Sequence, residues 1–151
     1  MSVFTTRESA SGRPAPWADR TGRTLMAITG LSTLIPFANG ISRVANAPEA
    51  YMLTEFWRTT AYLVFAGLWG LLAWTPRRQP GIWELLLIHK TAVAVFALVN
   101  LGATDSVRDS ISDSSLAVST LVAYVLCRGW QAWRPDDAAA APAPRSPQLS
   151  R

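Results

Sequence analysis

The stretch Trp83-Glu-Leu-Leu-Leu-Ile-His-Lys-Thr-Ala-Val-Ala-Val-Phe-Ala-Leu-Val-Asn100 decides how this chain is read. It is long and apolar enough to cross a bilayer, whose hydrocarbon core takes about 20 residues of helix. Yet its first half holds Glu84, His89 and Lys90, and the last two are the only histidine and the only lysine in 151 residues. A charge at the centre of a spanning helix costs about 2.5–3.5 kcal/mol on insertion scales. The leucines, valines and other large apolar residues around it return about 0.3–0.6 kcal/mol each, a sum only modestly above the cost of Lys90. Such a helix inserts best beside other helices.

Three further apolar runs flank it, and together they predict an all-α, integral membrane four-helix bundle over residues 24–134. The spans are expected at about 24–42, 56–75, 82–103 and 113–130. Span one is uncharged but carries Gly30, Pro36, Asn39 and Gly40, which loosen a helix unless neighbours re-satisfy its backbone. A cleaved signal peptide is the competing reading of this run, because Ala45-Asn46-Ala47 resembles a cleavage site. Span two starts with Arg58 in its first turn and is closed by Pro76-Arg77-Arg78. Within it, Ala66 and Gly70 have the spacing of a close helix contact. The tight turn Gln79-Pro80-Gly81 predicts that spans two and three are antiparallel neighbours. Span four opens on Asp113, Ser114 and Ser115, polar enough to face protein. Residues 1–23 and 135–151, rich in Ser, Pro, Ala and charge, are expected to be disordered tails.

Composition agrees. Half the residues are hydrophobic and 16% are charged, against about 25% in soluble domains. The net charge of +4 does not point to nucleic acid, because the arginines sit at the ends of apolar runs and form no stripe. Arg7, Arg13, Arg20, Arg23, Arg77, Arg78, Arg128 and Arg134 fall on one side, and Arg43, Arg58 and Arg108 on the other. The positive-inside rule makes the first side cytoplasmic, with both termini inside a multi-pass protein of the plasma membrane. Trp17, Trp74, Trp83, Trp130 and Trp133 gather at the same interface, as an aromatic belt does.

The candidate site lies on span three. Trp83, Lys90, Ala94, Ala97 and Leu101 form one helical stripe, and His89, Val93, Phe96 and Asn100 the next. With both stripes turned inward, His89, Lys90 and Asn100 would make a polar, ligand-binding pocket. The plainer alternative is that they glue helices together. Glu84, Arg58 and Asp113 are candidate proton or ion-pair groups. Glu84 is expected to reach Arg77 or Arg78, and Arg58 to pair with Asp113 or Asp105 at an outer rim that also holds Glu55 and Asp109. Cys127 excludes an internal disulfide and reads as a small buried residue. One histidine builds no metal site, and the chain carries no nucleophilic triad, phosphate loop or dinucleotide fingerprint. No catalytic residue, metal or cofactor is expected.

The shape of the chain resembles small bacterial four-helix membrane proteins of the DoxX-like group. The shared features are four spans, short connections, and Glu55-Phe-Trp-Arg58 ahead of a glycine-bearing apolar run. The first span departs from the group, lacking its glycine-and-lysine signature. The resemblance implies an accessory membrane subunit rather than a defined activity. The expected function is a non-enzymatic membrane subunit or small-ligand-binding bundle, in contact with the lipid bilayer and with a second copy or a membrane protein partner. The alternatives are a quinone-linked redox enzyme accessory using Glu84 and His89, and a homo-oligomeric transporter.

Overall fold

The computed structural model describes residues 14–102 and 106–134. They form four α-helices: α1 (Pro16–Ala45), α2 (Glu49–Trp74), α3 (Ile82–Val99) and α4 (Ser106–Cys127), followed by a short 3-10 helix, Gly129–Trp133. The expected tails at 1–13 and 135–151, and Asp105 at the rim, lie outside the described residues.

Every helix but α3 begins earlier than its apolar run. α1 starts at Pro16 rather than at 24, with the proline at its first positions and Asp19 in the first turn. Proline has no N–H to lose there, and a carboxylate suits the positive helix start. α2 starts at Glu49, directly after Pro48, and α4 at Ser106. Apolar runs mark only the part of a helix that water avoids, so polar first turns escape them. α1, α3 and α4 are long and apolar enough to cross a membrane. α2 is also long, at 26 residues, but Arg58, Thr59, Thr60 and Tyr62 dilute it.

α1 packs along both α2 and α4, and α3 packs along α4, whereas the backbones of α2 and α3 stay farther apart. α2 and α3 are neighbours, as expected, but they meet through side chains, Phe65 and Trp69 of α2 reaching His89 and Lys90 of α3. Side-chain size explains the difference. A Cβ on Gly30 would sit 3.1 Å from the Ala66 carbonyl, and one on Gly40 would strike Thr59, so only glycine lets α2 come this close. On the opposite side, Phe65, Trp69 and His89 hold α2 and α3 apart. The glycines expected to loosen α1 are what brings α2 against it.

The two ends of the bundle differ. At the end holding the α2–α3 turn, Met26, Trp69, Leu72, Trp83, Leu86, Ala123 and Cys127 form a buried core. Polar caps close that end. Arg23 donates to the carbonyls of Ala73 and Trp74 at 2.8 and 2.6 Å, satisfying the end of α2. Arg77 bridges Asp19 on α1 to the Cys127 carbonyl on α4. Gly81 (φ +85°) turns the chain into α3, and the Trp83 indole donates to the Pro76 carbonyl at 2.8 Å. The other end, holding the α1–α2 and α3–α4 loops, is where polar residues collect. Around the whole bundle, large apolar side chains such as Leu31, Ile35, Leu53, Leu85, Ile88 and Val99 are exposed.

Candidate functional site

One stripe of α3 is buried: Trp83, Leu86, Lys90, Ala94 and Ala97. Lys90 is its only charged member, and its ammonium stands 2.8 Å from Oδ1 of Asp113 on α4. The two side chains are only 8% and 14% exposed, so the charges meet largely out of solvent. Breaking such a pair leaves a lone buried charge, which costs far more than a surface bridge is worth. The ammonium also lies over the Phe65 ring, 4.2 Å from its centroid, and 5.7 Å from that of Trp69. Aromatic faces attract a cation most where water is scarce.

Above this pair, toward the loop end, is a cavity of about 510 Å³ between α1, α2 and α4. Its walls carry Ser32, Thr33 and Asn39 from α1, Thr59 and Tyr62 from α2, and Ser112 and Ser115 from α4. Around it stand Arg43, Glu55, Arg58, Arg108 and Asp109. The α1 wall follows from the sequence locally, since Thr29, Thr33, Pro36 and Gly40 recur at three- and four-residue steps and share one face. Pro36 has no N–H, so the Ser32 carbonyl on the same wall loses its usual helical donor. Below Lys90 the cavity is floored. The Trp69 indole donates to the Thr120 hydroxyl at 3.1 Å, both residues are fully buried, and Leu86 packs beneath.

The expected trio is separated. Lys90 faces inward, but His89 and Asn100 do not line this cavity, and both are exposed. The His89 ring leans on Phe65 with centroids 4.7 Å apart, at the outer edge of the α2–α3 seam. Asn100 caps α3, its amide donating to the Phe96 carbonyl at 2.8 Å. Consecutive helical residues point about 100° apart, so two adjacent stripes rarely both face inward.

The ion-pair groups also find different partners. Asp113 meets Lys90 rather than Arg58, and Arg58 stays beside Glu55 on its own helix at 3.4 Å. Glu84 reaches neither Arg77 nor Arg78. Its Oε1 accepts from the Trp133 indole at 3.1 Å and the Tyr124 hydroxyl at 3.3 Å, far from His89 in role and place. Arg77 is taken by Asp19, a pairing that the sequence reading missed because Asp19 fell in a stretch taken for tail. Cys127 is fully buried, as expected, with its sulfur 3.8 Å from the Asp19 carbonyl.

Comparison with protein-family models, with curated proteins and with solved structures finds no match to this chain.

Proposed function

We propose that this chain is a multi-pass integral membrane protein that binds a small polar ligand in the cavity above Lys90 and Asp113 and performs no chemistry of its own. One observation carries the reading: a buried ion pair forms the base of a hydroxyl-lined cavity inside a bundle whose outer surface is apolar. A membrane protein keeps ionisable groups at such depth chiefly where they face a cavity or a pathway. The Trp69–Thr120 floor favours binding over passage through a single copy.

In this reading all four helices cross the plasma membrane, as in the DoxX-like group. Arg58 stands at the cavity rim, which lets α2 cross without presenting that charge to lipid. Arg20, Arg23, Arg77, Arg78, Arg128 and Arg134 belong to the turn end, against Arg43, Arg58 and Arg108 at the loop end. The turn end is then cytoplasmic and the cavity opens to the opposite side. α1 supplies Met26 to the core and touches both α2 and α4, the part of a retained helix rather than a leader.

Native mass spectrometry of the protein extracted gently with its own lipids tests this. A small-molecule adduct is expected on the wild type and on His89→Ala, and is lost in the paired variant Lys90→Met/Asp113→Leu. A wild type that carries no adduct, or an adduct lost only in His89→Ala, would overturn the cavity as the binding site.

A further inference from the structure

The groups around the cavity sort into those already matched and those left over. Lys90 is matched with Asp113, and Arg58 with Glu55. Two arginines on its rim, Arg43 at the end of α1 and Arg108 near the start of α4, have no ion-pair partner among the described residues. Guanidinium groups present planar, forked donors that suit a carboxylate.

The leftover acceptors lie deeper. Oε2 of Glu55 is buried and receives no hydrogen bond among the described residues. The Ser32 carbonyl beside Pro36 has lost its helical donor. A buried acceptor without a donor, as at Glu55, is costly, and something that enters the cavity carrying donors meets it together with the free carbonyl of Ser32 on the wall.

We infer that the ligand is a small carboxylate that bears its own hydrogen-bond donors, an amino acid or a hydroxy acid. This rests on the binding reading above. The carboxylate meets Arg43 and Arg108 at the mouth, and the ammonium or hydroxyl groups point down toward Glu55 and the Ser32 carbonyl. A volume of about 510 Å³ accommodates such a molecule, within the range of about 300–1,000 Å³ usual for small-molecule sites. A simple fatty acid leaves the acceptors unmet, and a neutral sugar leaves the arginines unmet.

Four probes of similar length separate these cases on the full chain in lipid nanodiscs, read as the shift in thermal unfolding midpoint against concentration. They are gluconate, L-glutamine, hexanoate and glucose. Gluconate, glutamine or both are expected to bind at least tenfold more tightly than hexanoate or glucose. Whichever of the two is tighter tells whether hydroxyl or ammonium is the preferred donor. Arg43→Gln and Arg108→Gln, both exposed positions that leave the core intact, are each expected to weaken that binding tenfold or more. Hexanoate or glucose binding as well as the other two, binding that survives both arginine variants, or no binding by any probe would overturn the inference. If a native adduct nevertheless survives extraction, only the ligand class fails and the cavity reading stands.

Discussion

Lys90 on α3 and Asp113 on α4 stand 2.8 Å apart at the base of the cavity, although neither residue's neighbours in sequence point to the other. Their pairing explains how a lysine sits in the middle of an apolar helix. The pair brings no net charge into the bundle, and Phe65 shields the ammonium from the α2–α3 seam.

Breaking the pair from either side should be costly, and removing it whole should not. Lys90→Met leaves Asp113 without its cation and is expected to cost about 3 kcal/mol, the lower end for buried pairs because the cavity admits some water. Asp113→Leu is expected to cost a similar amount, and the double variant to return close to wild type. Unfolding titrations in mixed micelles measure all three. If the double variant loses the sum of the two single costs, the groups do not sense one another.

Glycine at two positions makes opposite demands. Gly30→Ala drives a Cβ toward the Ala66 carbonyl at 3.1 Å, a backbone atom that cannot swing away. A loss of about 1–3 kcal/mol is expected, as for other overpacked contacts. Gly70→Ala meets nothing within 4 Å and is expected to gain up to about 1 kcal/mol from helix propensity. Equal effects at the two sites would argue against the close packing of α1 on α2.

Phe65 and His89 should differ as well. Phe65→Leu removes the ring beneath the Lys90 ammonium and is expected to cost about 1 kcal/mol. His89→Ala alters only the exposed edge of the seam and should stay within about 0.5 kcal/mol, as surface changes usually do. A His89 effect larger than that of Phe65 would restore the histidine to the centre of the site.

At the turn end, Asp19→Asn should loosen the joint between α1, α2 and α4. Arg77 loses its carboxylate, and Arg23 loses the charge 3.7 Å away. With both partners part-exposed, about 1 kcal/mol is expected. Hydrogen exchange should speed first at the Arg77–Arg78 turn; unchanged exchange there would show that the arginine caps hold without Asp19.

Much of this architecture is legible in the chain. The apolar runs find four helices, and of the stripe Trp83, Lys90, Ala94, Ala97 and Leu101 all but Leu101, which lies past the end of α3 and is exposed, are buried. Asp113 stands out as a charge at the head of an apolar run. The partners were not legible, for a geometric reason. Lys90 and Asp113 are on different helices, and which faces meet depends on how closely α1 lets its neighbours approach. That is set by Gly30 and Gly40, which in sequence look like helix breakers. The cavity was hidden similarly, since its serines, threonines and Tyr62 are scattered over three helices and each is ordinary alone.

The most direct measurement is thiol reactivity along the axis of the bundle, in nanodiscs, with a charged methanethiosulfonate reagent. Ser32 lines the cavity and is exposed, whereas Ala123 is fully buried beyond the Trp69–Thr120 floor. Native Cys127 is equally buried and serves as an internal control. Ser32→Cys should react readily, with Ala123→Cys and Cys127 silent. A silent Ser32→Cys, or equal rates at Ser32→Cys and Ala123→Cys, would contradict a water-filled cavity that ends at Lys90 and Asp113.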